Sequence, residues 1–259
     1  MPAARARADR SRHRRGDAGR DRHQHPRRAH RGSSRPDGRA ARRGRVAAVE
    51  KAPRLADQGM IPAIVLAAGK SSRMGRTKAL LPAGSSSETF LMRIIRVLRE
   101  GGIDRIVVVI GGDAAAVRAS LPRDDASLAA VENPHYEEGQ LTSLLVGLAA
   151  IEQRHDDVEA VMVTLVDLPL ISAPMVRAVL EAFRAKPDAP LVRPRRGSRH
   201  GHPVIFNRSI FGELRHADPS KGAKPVVHAH AAEEVNVDVD DDGAIIDIDT
   251  PEDYARFIG

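Results

Sequence analysis

The 259-residue chain contains no cysteine and no tryptophan, and aromatic residues make up only 3% of it. Without cysteine there is neither a disulfide framework nor a thiolate metal site. No stretch approaches the roughly 18 consecutive apolar residues of a membrane-spanning helix. No continuous apolar run follows the basic N-terminus, as a secretory signal requires. These absences point to a soluble cytoplasmic protein.

Charge is present, but unevenly. The formal net charge of +7 and pI near 10.3 suggest a nucleic-acid binder until the charge is located. Residues 1–59 hold 18 Lys+Arg against 6 Asp+Glu, a net of +12, while the remaining 200 residues hold 23 against 28, a net of −5. The basicity therefore belongs to the N-terminal segment alone. That segment is almost all Arg, Ala, Gly, His, Asp and Pro, without apolar periodicity, and is expected to be disordered. It has no interleaved aromatic side chains to stack on bases, which makes nucleic acid an unlikely partner. Its composition is that of translated GC-rich non-coding sequence, and Met60 stands immediately before the first strand. The expectation is a mis-assigned start, with a disordered arm or a targeting segment as alternatives, and one domain over residues 60–259.

From Met60 onward, apolar runs alternate with helical patterns. Strands are predicted at 61–67, 103–112 and 158–166, with a weaker one in SLAAVEN. Helices are predicted from about Ser87, over AAAVRASL, over 142–154, and after Ser172 as a cap. This alternation implies a parallel sheet with helices on both faces. The order changes after Pro190: PLVRPRRGSRHGHPVIF reads as a hairpin, and VNVDVDDDGAIIDI as a second hairpin-like pair around Asp241–Gly243. Thr250, Pro251 and Asp253 mark a helix start.

Ligands of open α/β sheets bind beyond the carboxyl ends of the strands. The stretch IVLAAGKSSRMGRTK (64–78) puts small residues and bases at such an end. Its spacing is neither G-x-G-x-x-G nor a P-loop. Its N–H groups could still cradle phosphates, with Arg73 and Lys78 supplying charge; the alternative is a tight turn with solvated bases. Asp167, in VDLP after the strongest strand, is placed to hold Mg²⁺ beside phosphates or only to shape the turn before Pro169. Asp247 and Asp249 share a face as either a helix cap and a metal ligand or a surface pair. His202 in RHGHPVIF is structural or substrate-facing. Lys224, Arg195, Arg196 and Arg199 are candidate phosphate contacts, and the run Asp238–Asp242 reads as a solvated hairpin.

LAAGKSSRMGRTK, VDLP, GHPVIF and DIDTPEDY, in this order, resemble the MobA-like nucleotidyltransferases, and within them the molybdenum cofactor cytidylyltransferase branch. The resemblance runs from about Ile61 to Gly259. It implies a Rossmann-like fold, mostly parallel sheet flanked by helices, with a small β-hairpin substrate lid. It also implies that Leu66, Ala67, Ala68 and Gly69 lie against base and ribose, that Arg73 and Lys78 bind the triphosphate, and that Asp167 and Asp249 hold Mg²⁺. His202 and Lys224 would face the acceptor. Ala67-Ala68-Gly69 matches the A-A-G of the cytidylyl branch, whereas the guanylyl branch usually reads A-G-G. GQLTSLLVGL departs from the G-x-S-S-L of close relatives at Leu141.

The implied reaction moves CMP from CTP to the phosphate of molybdopterin and releases pyrophosphate, with a transient contact to the molybdoenzyme that receives the product. A phosphate monoester, second pKa about 6, is already largely dianionic at neutral pH, so no Ser–His–Asp or Cys–His constellation is needed. The rival readings are GTP as donor, a sugar-, polyol- or lactate-phosphate acceptor, and a non-catalytic accessory protein.

Overall fold

The computed structural model describes residues 59–85 and 87–259. The Arg-rich segment, with the expectations attached to it, lies outside the described residues. The apolar runs become strands. β1 (Ala63–Ala67), β2 (Ile106–Ile110), β3 (Leu128–Glu132) and β4 (Ala160–Leu165) run parallel in the order β3-β2-β1-β4. Every residue of β1 and β2 is buried, as expected of unbroken apolar runs covered on both faces.

Side-chain parity divides the core in two. Ala63, Val65, Ile106, Val108 and Met162 pack toward α1 (Phe90–Glu100), α2 (Ala114–Ser120) and α4 (Ala173–Ala185). Ile64, Leu66, Val107, Val109 and Val163 pack toward α3 (Gln140–Glu152), α5 (Phe211–His216) and α6 (Lys224–Ala229). α3 lies so close to β1 that a Cβ on Gly147 would stand 2.7 Å from an Ile64 methyl. β1 leads into a helix on one face, whereas the helix before β4 is on the other. The neighbours β1 and β4 therefore form the topological switch point, where α/β sheets open a crevice at their carboxyl ends.

The second half of the chain extends the same sheet. β7 (Val204–Asn207) runs antiparallel beside β4, and β5 (Leu191–Arg196) antiparallel beside β7. β6 (Arg199–His200) pairs with the outer end of β5, and β8 (Val235–Asp238) runs parallel to β5. Arg195 pairs with His200 but Val192 with Ile205, so the register slips by two residues between β6 and β7. His202 sits in that slip, and such irregularities re-aim side chains. α7 (Pro251–Phe257) closes the chain with a capping box between Thr250 and Asp253.

Three local expectations need correction. The pair predicted in VNVDVDDDGAIIDI is a single strand, β8, followed by a short 3-10 turn at Asp242–Ala244 and an irregular segment. Its backbone groups find partners in neighbouring loops instead: the His202 N–H donates to Ala244 O (2.9 Å) and the Ile248 N–H to Asp167 O (2.8 Å). α1 begins at Phe90 rather than near Ser87, because Thr89 accepts the Met92 N–H at 3.3 Å. Ser172 holds the N-cap position of α4, but its side chain makes no capping bond. Among the described residues no helix is long and apolar enough to cross a membrane.

Candidate active site at the carboxyl ends of the strands

The loop after β1 folds back on itself. Ser71, with a left-handed φ of 53°, accepts the Met74 and Gly75 N–H groups on its carbonyl, both at 3.1 Å. Its hydroxyl accepts the Lys78 N–H at 3.0 Å. Thr77 donates to Asp113, pinning the loop to the start of α2. Lys78 is thereby drawn inward until only 9% of it is exposed.

Two further loops bring carboxylates to it. Asp167 follows β4, whose end is tied to β1 by the Val166 N–H on Leu66 O (3.1 Å). Arg93 of α1 donates to Pro169 O at 2.6 Å and steadies the same loop. Asp249 precedes α7, and the Asp253 carboxylate of the capping box also accepts the Asp249 N–H at 3.2 Å. Lys78 Nζ contacts Asp249 directly and lies 3.5 Å from Asp167 Oδ2; Arg73 reaches Asp249 at 2.5 Å. Burial alone would push the Asp249 carboxyl up; the hydrogen bond and charge of Lys78, joined by Arg73, outweigh it and hold the group below its ordinary value. Asp247 shifts the other way, raised by burial and by the charges of Asp167 and Asp249.

Arg73, Lys78, Asp167 and Asp249, but not Asp247, line a cavity of about 280 Å³. Arg73, Lys78, Asp167 and Asp249 give it a charged cluster, Tyr136, Gln140 and Ser143 an uncharged polar part, and Leu66, Ala68 and Gly69 line it as well. Ala67 does not line it, because alternation turns its methyl into the core of the opposite face. Gly111 permits the narrowness: a Cβ there would lie 2.6 Å from Ala68 O and 2.8 Å from the Tyr136 ring.

A second cavity of about 350 Å³ shares Leu66, Gln140 and Leu165 with the first. Leu144, Val204 and Phe206 supply apolar wall, while Lys221 and Lys224 stand at its polar part. His202 also lines it, with Nδ1 3.2 Å from Val163 O. A carbonyl only accepts, so Nδ1 carries the proton. Burial lowers the pKa of the ring, against the opposing pull of that carbonyl and of Asp167. At neutral pH His202 is thus a neutral imidazole whose Nε2 is an acceptor.

The turn arginines have other work. Arg195 pairs with Asp238 at 2.8 Å, Arg196 with Asp242, and Arg199 donates to Ile245 O at 3.1 Å. The acidic run is their counter-charge rather than a free solvated hairpin. Tyr136, Gln140 and Ser143 escaped sequence reading; the only signal was a polar loop followed by GQLTS at the end of a weak strand.

Known proteins resemble this chain over about three quarters of its length. Rv0371c from Mycobacterium tuberculosis H37Rv is 31% identical, covering 77% of this chain and 98% of that one, with a TM-score of 0.65. Its complex with manganese gives 30% identity and a TM-score of 0.61 over the same shares. The molybdenum cofactor cytidylyltransferase of Escherichia coli K12 is 24% identical over 199 residues, 75% of this chain and 93% of its own. The molybdenum cofactor guanylyltransferase of Xanthomonas euvesicatoria pv. vesicatoria is 26% identical over 202 residues, with the same shares. The model of the MobA-like NTP transferase domain matches residues 63–235, and on that match the chain belongs to the MobA-like NTP transferase family of nucleotidyltransferases.

Proposed function

We propose that this chain, through its domain over residues 60–259, transfers a nucleoside monophosphate from a nucleoside triphosphate, CTP in preference to GTP, to the phosphate of a molybdopterin-type acceptor. The observation that carries the reading is the meeting of Arg73, Lys78, Asp167 and Asp249 in one cavity that shares lining residues with a second, apolar-walled one. The triphosphate lies along the charged end, with Arg73 and Lys78 opposing its charge. The acceptor occupies the second cavity, with Lys221 and Lys224 near its phosphate and His202 Nε2 accepting from an N–H or O–H of its body. The shared residues Leu66, Gln140 and Leu165 support a side-by-side arrangement of the two substrates. An acceptor phosphate oxygen then attacks the α-phosphorus, and the α–β bond breaks with its electron pair leaving on pyrophosphate. The chain's contribution is alignment and the neutralisation of two mutually repelling anions.

A divalent cation fits the carboxylate pair. Asp167 Oδ1 is buried and has no hydrogen-bond partner, and hard oxygen donors suit Mg²⁺, which is commonly held by one or two carboxylates plus substrate phosphates. Asp167 and Asp249 would hold it; once bound it would stabilise charge on the phosphates. The Lys78 ammonium sits against both carboxylates. The A-A-G sequence at 67–69, of which Ala68 and Gly69 line the cavity, and the similarity to a molybdenum cofactor cytidylyltransferase support CTP and molybdopterin.

Pyrophosphate release by the full chain tests the reading, with Mg²⁺, molybdenum-loaded molybdopterin and CTP, GTP, ATP or UTP in turn. Release with CTP, lost in Asp167→Asn, is the expected result. Turnover only with sugar- or polyol-phosphates would move the acceptor. Silence of the folded protein with every acceptor would leave a binding role.

A further inference from the structure

The second cavity is lined by Arg193, His200, His202, Lys221, Lys224 and His228, and no carboxylate lines it. Lys221 and Lys224 are exposed. Arg193 lies deeper, with 17% of its side chain exposed, and the transfer chemistry gives it no part. It follows Val192, which pairs with Ile205 of β7, and so stands across the ladder from Val204. His202 precedes Val204 by two residues. Opposite and next-but-one positions of neighbouring strands share a face, and all three side chains line this cavity.

The polarity of both polar groups is fixed. Arg193 Nε and Nη2 donate to one oxygen of Glu234, at 3.0 and 2.7 Å. Glu234 is itself held: 6% exposed, it accepts on its other oxygen from Asn236 Nδ2 at 3.1 Å, with His200 Nε2 at 3.4 Å. The guanidinium is thus gripped along one edge, and Nη1 has no partner among the described residues. A guanidinium has no lone pair to offer, so whatever meets Nη1 must accept. His202 is the reverse. Its proton is committed through Nδ1 to Val163 O, which leaves Nε2 a lone pair with no proton beside it. Burial and, in smaller measure, the charge of Arg193 keep the ring neutral against the pull of Val163 O and Asp167.

We infer that Arg193, held by Glu234, and His202 together read a ring edge on which a carbonyl stands beside an N–H, so that this cavity selects a cyclic-amide heterocycle over a sugar or polyol as the body of the acceptor. The inference rests on the reading of this cavity as the acceptor site. A pterin carries such an edge: its C=O accepts from Arg193 Nη1 and the adjacent N–H donates to His202 Nε2. The hydroxyls of a sugar or polyol rotate to suit either partner, so this pair of groups gives them no advantage. A planar guanidinium fixed along one edge also sets the direction of its free N–H groups, which a lysine ammonium would not. Polar groups built for one polarity reject the reversed one more strongly than an apolar wall does.

The test is equilibrium binding of hydroxymethylpterin and its diamino analogue to the full chain at neutral pH, read by ligand-observed NMR. In the analogue the ring C=O becomes C–NH₂ and the adjacent N–H a bare nitrogen. Polarity is reversed at both contacts while shape is kept. The wild-type protein is expected to prefer the pterin about a hundredfold, about tenfold for each mismatched contact. Arg193→Met should cut that preference about tenfold. Both rings are uncharged, so their ratio removes any general effect of the lost charge. If Arg193→Met does not fold because Glu234 is left without its partner, Arg193→Met combined with Glu234→Gln removes both charges and should give the same fall. Equal affinity of the wild-type protein for the two rings would overturn the inference, as would an unchanged preference in the folded Arg193 variant. Wild-type protein that binds neither ring would instead remove the reading of this cavity as the site of a molybdopterin-type acceptor, and the inference with it.

Discussion

The two cavities share a wall and are built on different physics. The first is held by charge: a lysine drawn in from one loop lies between carboxylates from two others, and almost every contact that shapes it is polar. The second is held by packing, with Leu144, Val204 and Phe206 as wall and a neutral His202 set in a register slip. A charged site can be reorganised by a charged ligand, since Lys78 and its partners Asp167 and Asp249 are all charged groups on the cavity lining. A packed site changes little on binding and selects by shape and by a few fixed polar atoms.

The sharpest way to break this contrast is Asp167→Asn. It should lower pyrophosphate release by at least about a hundredfold, in the range found when one transition-state contact is removed. Thermal melting checks that the fold persists; retained turnover would mean that the cation is held elsewhere. Lys78→Ala comes next, with turnover lower by about a hundredfold. Among the residues lining this cavity, Arg73 and Lys78 are its two basic side chains, and Arg73 is the exposed one of the two.

His202→Asn probes the other cavity. It should raise KM for the acceptor about tenfold, the worth of one lost hydrogen bond with some repacking, and leave KM for the nucleotide within about twofold. Comparable shifts in both would show that the cavities are not separable. Initial rates with each substrate varied in turn decide it.

A smaller effect distinguishes the charge-built site by pH. The folded-state pKa of Asp249 lies below its ordinary value, near 3.9. Its pairing therefore stabilises the fold above that value and is lost as pH falls through the lower, folded-state pKa. Asp249→Asn should flatten the acid limb of a melting-temperature profile below about pH 4. Asp247 has the opposite sign. Its raised pKa means that ionisation disfavours the fold as pH rises through the folded-state value. Asp247→Asn should leave acid stability unchanged and raise the melting temperature slightly near pH 7, the smallest change in the set.

Much was legible because it depends on near neighbours in the chain. The apolar runs at 64–66 and 106–110, the capping box at Thr250–Asp253 and the LAAGKSSRMGRTK loop each declare themselves within a dozen residues. Lys78, Asp167 and Asp249 could be nominated one at a time, since each stands at the end of an element. What failed to show was whatever depends on a distant partner. VNVDVDDDGAIIDI alternates like a hairpin, yet its second half bonds to the loops at Asp167 and His202. Arg195 and Arg196 looked available for phosphate until Asp238 and Asp242 were brought opposite them.

The sequence by itself determined the α/β layering, the family and the ends of strands at which chemistry had to lie, because periodicity and local turn chemistry are short-range. Tertiary structure decided the rest. It turned Ala67 away from the cavity, spent three arginines on structure and fixed the proton of His202 on Nδ1. Those outcomes follow from which groups exclude water from one another, and groups as far apart as Lys78 and Asp249, separated by 171 residues, meet only when the sheet is assembled.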